Sequence, residues 1–327
     1  MAQARQTRTP ENAPPANTDA IDRLLVGAVD LHCHSGPSVM PRCIDHIAAM
    51  KETADAGFRA VLIKDHYYSA TPVTQLLNDN FAELGVEMLS GVPLNNATGG
   101  FNVHAVDRGI KLGAKLVWIP TFSSANHIDH HKHDGEFEDK FPTRKEQMRA
   151  PIPLSVLDQN GDLHEEVKVI LDLIAENDLV LSSGHLYIRE IWPLFEEAKR
   201  RGVTRLLVNH PTYIVDATMA DVTTLTGMGA YLEHSMCMFI EGSIYQLYDN
   251  ENLRALIEAG TIEKTILGSD LGQNKNPLPV DGFRSVVAMC LEIGYDEGAI
   301  RRMIGGNACE SMGLEDVRQD AWVDAAN

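Results

Sequence analysis

The 327-residue sequence lacks any apolar stretch long enough to span a bilayer, so no transmembrane helix is expected. It is poor in cations: 28 Lys and Arg stand against 46 Asp and Glu, for a net charge of −18. That acid surplus repels phosphate backbones and anionic lipid, which argues against nucleic acid or membrane as a partner. Cysteine is scarce. Cys33, Cys43, Cys237, Cys290 and Cys309 are odd in number, scattered and without a CxxC pair. A disulfide framework is therefore not expected, and a reducing cytoplasmic setting is. No glycine-rich dinucleotide or P-loop fingerprint is present, which removes the usual mark of a nucleotide-binding doubly wound sheet. Residues 1–17 are rich in Ala, Pro, Gln and Thr and lack the apolar core of a signal peptide. Residues 1–20 read as a disordered tail ahead of a single domain over 21–327.

What the chain does have is apolar substance, 44% of its residues, and a rhythm. Short β-branched or apolar runs at 26–31, 60–63, 87–92, 115–120, 179–183, 205–208, 230–233 and 265–268 read as strands. Between them, 44–56, 71–84, 165–177, 188–201 and 252–259 carry amphipathic helical patterns. Eight strands with helices between is the count of an α/β fold, the (β/α)8 TIM barrel. One connection is too long for a loop and a helix: residues 121–178 form an insertion after strand 4. It holds His127, His130, His131 and His133 with Asp129 and Asp134. Their crowded spacing lacks the i, i+4 geometry of a helical metal site and reads as a solvated loop over the barrel mouth, a candidate lid. A hairpin is expected over 152–156, turning at 158–161. Segments 282–293 and 296–312 read as helices packed on the barrel.

The chemistry gathers at the strand ends. His32-Cys33-His34 closes the first run. Residues i and i+2 of a strand point to one side, so two imidazoles emerge together. Burying both is costly unless something binds their nitrogens, and a divalent metal does so well. Downstream, the runs end in Lys64-Asp65-His66, Ser183-Gly184-His185, Asn209-His210-Pro211, Glu233-His234 and Gly268-Ser269-Asp270. In a barrel these ends converge on one face. A single such His is ordinarily a hydrogen-bonded rim residue, and Asp270 alone a helix cap. The set, in the order HxH, His, His, Asp, points to a metal.

This pattern resembles the amidohydrolase superfamily of metal-dependent barrel hydrolases. The matching residues are His32, His34, His185, His210 and Asp270. Gly305-Gly306-Asn307-Ala308 through Met312-Gly313-Leu314 also resembles that family's Gly-Asn-Ala helix after the last strand. The resemblance runs from about residue 26 to 314 and implies that His32, His34 and Asp270 hold one metal. His185 and His210 would hold a second, or in a one-metal centre His185 would bind and His210 would contact substrate. The chain departs from the pattern at strand 4. Val117-Trp118-Ile119-Pro120-Thr121 offers no ligand where two-metal members place a carbamylated lysine or carboxylate, and Lys115 sits at the wrong end. Lys64 is either that bridging lysine moved to strand 2 or an ammonium that binds an anionic substrate. Arg42 is either a surface residue or a bidentate clamp for a carboxylate. With Lys64, His66 and Tyr67 it makes up the candidate substrate contacts.

The expected activity is hydrolysis of an amide, lactone or other ester-like bond in a small molecule. Zn²⁺ is the expected ion, although these ligands suit Mn, Fe or Ni as well. The metal would lower the pKa of bound water, Asp270 would act as general base, and His210 or the metal would polarise the carbonyl. A decarboxylase of the same superfamily is the alternative within enzymes, and a non-catalytic metal-binding barrel the alternative outside them. Barrels of this kind often associate, so a homo-oligomer is expected.

Overall fold

The computed structural model describes residues 16–132 and 149–314. Eight strands lie side by side in the order in which the chain makes them, every pair parallel. They are β1 (Val29–Cys33), β2 (Ala60–Ile63), β3 (Glu87–Pro93), β4 (Leu116–Trp118), β5 (Val180–Ser182), β6 (Arg205–Asn209), β7 (Tyr231–Ser235) and β8 (Thr265–Gly268). Helices α1 (Ala16–Leu25), α2 (His46–Asp55), α3 (Thr71–Asn80) and α4 (Val103–Lys111) accompany the first half. The insertion holds α5 (Ala125–His130) and ends in α6 (Glu165–Glu176). Then come α7 (Ile188–Arg200), α8 (Met219–Gly227), α9 (Asn250–Gly260), α10 (Pro279–Ile293), α11 (Glu297–Arg301) and α12 (Asn307–Met312). This is the (β/α)8 barrel expected from the sequence. Among the described residues no helix is long and apolar enough to cross a membrane.

The ring closes where β1 meets the chain after β8. His34 N donates to Leu271 O at 2.8 Å, and Asp270 N donates to His32 O at 2.8 Å. Asp30 pins this seam from within. Its Oδ1 accepts from His32 N and Ser269 N, both at 2.9 Å, and its Oδ2 accepts from Ser269 Oγ. β1 carries a register shift between Asp30 and Cys33 against β2. One extra residue in a strand lets two neighbours face the same way. Leu31 thus joins the inner apolar layer while His32 also turns inward toward Glu233.

That inner layer joins Val29, Leu62, Leu116, Val180, Leu207 and Ile266 to Ala308, Cys309 and Met312 of α12, which plugs one end. Two residues further along four of these strands stand Lys64, Trp118, Ser182 and Asn209, on the same face by the two-residue period of a strand. The barrel therefore changes from apolar to polar within one layer, moving toward the strand ends that carry the histidines. Two larger apolar clusters fill the space between strands and outer helices.

Several boundaries differ from the expectation. β1 begins at Val29 because residues 26–28 turn out of α1, with Ala28 N bonded to Leu25 O. α1 begins at Ala16, inside the stretch expected to be a tail; residues 1–15 lie outside the described ones. The expected closing helix is broken by a π-helical turn, Arg302–Gly306, between α11 and α12. The expected hairpin reduces to a single antiparallel bridge, Leu157 to Leu163, around a turn in which Asp158 Oδ1 accepts from Asn160 N and Asp162 N.

Candidate metal centre and cavity

The strand ends bring the predicted ligands together. His32, His210 and Asp270 each offer one ligand atom, all within 4.8 Å of one another. Asp270 Oδ1 lies 3.2 Å from His32 Nε2 and 3.0 Å from His34 Nε2. Asp270 Oδ2 lies 3.7 Å from His210 Nδ1. Two of these residues sit in the left-handed backbone region that side chains other than glycine rarely adopt: His210 at φ 49° and Asp270 at φ 50°. Strain of this kind, of order 1–3 kcal/mol each, persists where surrounding structure enforces it, and it collects at functional sites.

The hydrogen bonds behind the ligands fix their tautomers. His34 Nδ1 faces the carbonyl oxygen of Lys64 at 2.8 Å. A carbonyl only accepts, so Nδ1 carries the proton and Nε2 presents a lone pair. His32 Nδ1 donates to Glu233 Oε1 at 3.1 Å, and Lys64 Nζ donates to His32 Nε2 at 2.9 Å, giving the same tautomer. Burial pushes the pKa of both imidazoles well below the usual value, and nearby Lys64 and Arg42 push the same way. Burial alone would raise the Asp270 carboxyl, but His32, His210 and Lys64 outweigh it and hold it below its ordinary value. At neutral pH the lone pair of His34 Nε2 therefore faces Asp270 Oδ1 at 3.0 Å, and His32 Nε2, which accepts from Lys64, lies 3.2 Å from the same oxygen. Acceptors crowd acceptors, and a cation between them relieves the conflict. The donor set, nitrogen and carboxylate oxygen, is that of Zn²⁺ and its neighbours.

His185 completes the ring of imidazoles, with its ring centroid 5.0 Å from that of His210. It is buried, and its Nε2 has no hydrogen-bond partner among the described residues. Gly184 sets it in place. Gly184 is left-handed at φ 57°, and a Cβ there would drive into the carbonyl oxygens of Ile119 and Pro120. Gly184→Ala is expected to cost about 3 kcal/mol, from backbone strain and overpacking together. Urea unfolding measures it; a loss below about 0.5 kcal/mol, the scatter of neutral substitutions, would show that β5 yields there.

These residues line a cavity that opens to solvent. Arg42 and His66 of the expected substrate contacts stand on its wall, whereas Lys64 and Tyr67 are not among its lining. Lys64 lies beneath it, fully buried, with Nζ 5.9 Å from the Trp118 ring. Burial pushes Lys64 down and Glu233 up, each resisted by the opposite charges beside it. Below the histidines, Ser182, Asn209 and Glu233 form a hydrogen-bonded chain that ends on His32.

The His-rich insertion is not the solvated loop expected. Residues 125–130 form α5, and His127 and His131, four apart, are both buried with ring centroids 4.6 Å apart. His127 Nδ1 meets His185 Nδ1 at 3.0 Å, so one donates to the other. Phe122 stacks between His66, at 3.7 Å, and His127, at 4.7 Å. The insertion thus walls the cavity with aromatic rings; His133 and Asp134 lie outside the described residues. His127, Glu233 and Ser235, whose Oγ lies 2.8 Å from His210 Nδ1, are site residues that sequence reasoning missed. The signal for Glu233 was its place at a strand end. For His127 it was the i, i+4 spacing with His131, which the sequence reading wrongly took to be absent.

The model of a protein family described as a family of unknown function, DUF6282, matches residues 27–233. The chain belongs to that family. The span matched in this DUF6282 member holds His32, His34, His185, His210 and Glu233 but ends short of Asp270. No curated protein sequence matches the chain. Solved structures do match in shape. An amidohydrolase from Pseudomonas aeruginosa aligns with a TM-score of 0.61 at 11% identity, covering 90% of this chain and 98% of its own. A protein described as probable dipeptidase PvdM, also from Pseudomonas aeruginosa, aligns with a TM-score of 0.59 at 10% identity, covering 92% and 98%. A metallo peptidase, dipeptidase AC, aligns with a TM-score of 0.53 at 13% identity, covering 88% and 98%. At these identities the likeness shows the fold.

Proposed function

We propose that this protein is a metal-dependent hydrolase of the amidohydrolase kind, cleaving an amide, lactone or other ester-like bond in a small molecule. The observation that carries this reading is the carboxylate of Asp270 packed against the imidazoles of His32, His34 and His210 at the open end of the barrel. His32, His34, His185, His210 and Asp270 would hold the ion. Zn²⁺ or a similar cation, when bound, lowers the pKa of water toward about 7 and polarises a carbonyl.

The chain's own residues supply the rest. Asp270, held ionised, accepts the proton of the attacking water at its carboxylate and returns it to the leaving group. Gln273 Nε2, 3.1 Å from Asp270 O, and the Cys237 thiol, 3.6 Å from Oδ2, fix its orientation. His210, steadied by Ser235, stands on the cavity wall, where it would polarise the scissile carbonyl. Apolar and aromatic walls exclude bulk water. The named activities of the structural neighbours, an amidohydrolase and two dipeptidases, support the same class.

The test is turnover by metal-loaded protein on a panel of N-acyl amino acids, cyclic amides, lactones and aryl esters, with CO₂ followed in parallel. Hydrolysis is expected, lost on chelation and restored by Zn²⁺ or Mn²⁺. Release of CO₂ in place of a hydrolysis product would make the protein a decarboxylase on the same residues. Tightly held metal with no turnover across the panel would make it a non-catalytic metal-binding barrel.

A further inference from the structure

We infer that the cavity takes a substrate bearing a single carboxylate, which seats bidentately on the guanidinium of Arg42. The inference rests on the hydrolase reading of the same cavity and adds the class of its substrate. Arg42 stands on the cavity wall with its side chain only 3% exposed. All three of its side-chain nitrogens are buried, and none has a hydrogen-bond partner among the described residues. Among the described residues its one ion-pair partner is Asp65, with Oδ2 at 3.7 Å from Arg42 Nη2, too long for a hydrogen bond. Asp65 spends its other oxygen on Tyr67 N, at 2.8 Å. The charge of Arg42 is balanced while its fork of N–H donors stays unused.

The fork is also held still. The backbone of Arg42 bridges to Gln273, and Cys43 N donates to Gly272 O at 2.9 Å. The loop after β1 is thereby tied to the loop after β8, next to Asp270. A rigid donor fork beside the reacting centre is a positioning device.

The surroundings select the anion. Among the described residues Arg42 is the sole Lys or Arg on the wall. A planar carboxylate matches its fork of N–H donors. Met40, Phe122, Ile214, Met238, Ile244 and Leu247 make the rest of the wall apolar. The substrate is therefore an amphipathic carboxylic acid: an N-acyl amino acid, or a cyclic amide or lactone that carries a carboxylate.

Calorimetric titration with benzoate and with its neutral isostere benzamide tests this on the full chain, metal-loaded and chelated. Benzoate is expected to bind the chelated protein at least tenfold more tightly than benzamide. Arg42→Gln should abolish that preference, and Arg42→Lys, which keeps the charge but loses the fork, should cut it at least threefold. Thermal unfolding checks the fold; if Arg42→Gln does not fold, Arg42→Lys decides. A preference absent from chelated protein, or unchanged in either folded variant, overturns the inference, since the carboxylate then sits on the metal or elsewhere. The readout needs no turnover. Arg42-dependent benzoate binding without hydrolysis would sink only the hydrolase reading, and hydrolysis without that preference only this inference.

Discussion

Asp270→Asn is expected to leave the fold and the bound metal in place and to lower kcat by about 10²–10⁴-fold, the usual contribution of a general base. The substitution is matched to its site. Asn has nearly the volume of Asp and is among the few side chains that tolerate the left-handed backbone found at residue 270, φ 50°. The seam of the barrel passes through the backbone of this residue, by Asp270 N to His32 O, and not through its carboxylate. The imidazoles of His32, His34, His185 and His210 remain to hold the ion, and the amide oxygen still faces it. What disappears is the carboxylate that three imidazoles keep aimed and that nearby positive charge keeps ionised. Steady-state kinetics and elemental analysis on the same sample decide it. Unchanged kcat with metal present would exclude Asp270 as the base.

The barrel was legible because its strands are buried on both faces and read as short apolar runs, six of them ending in polar residues that the sequence reading could pick out. β2 and β8 coincide with their expected runs to the residue. The convergence of His32, His34, His185, His210 and Asp270 follows from closure of the ring, so recognising eight strands was enough to gather them. Other elements left weaker marks. α8 is rich in threonine, a poor helix former, and is held by the reciprocal cap of Thr218 and Asp221. The faces of single residues were harder still. Lys64 follows Leu62 on the inner face of β2 and so lies under the site, not on its wall. His127 reaches His185 across 58 positions, and Glu233 reaches His32 across 201. Such contacts are products of packing, and no local pattern encodes them. The bulge in β1 is of the same kind: alternation alone puts His32 and His34 together but does not say which way they face.

Replacing His32 and His34 together with Ala is expected to abolish metal retention. The pair supplies two nitrogens from one strand, each with its lone pair set by a hydrogen bond on the opposite side of the ring. Removing both leaves Asp270 alone of the three residues that would hold the first ion, short of the three or four protein ligands such an ion needs. Loss should exceed the roughly 10–100-fold weakening that follows removal of an outer partner alone. Glu233→Gln provides that milder comparison, because it spares the ligands and alters only the acceptor that His32 Nδ1 donates to. The expected order of metal affinity is wild type, then Glu233→Gln, then the double variant at background. Lys64→Ala separates the two roles open to that lysine. If it bridges as a carbamate, metal content falls from two ions toward one; if it stays an amine, metal content is unchanged. Its position beneath the cavity, 2.9 Å from His32 Nε2, puts it within reach of the ion in either case. Elemental analysis of the purified variants gives all of these values. Wild-type metal content in the double variant would remove His32 and His34 from the site.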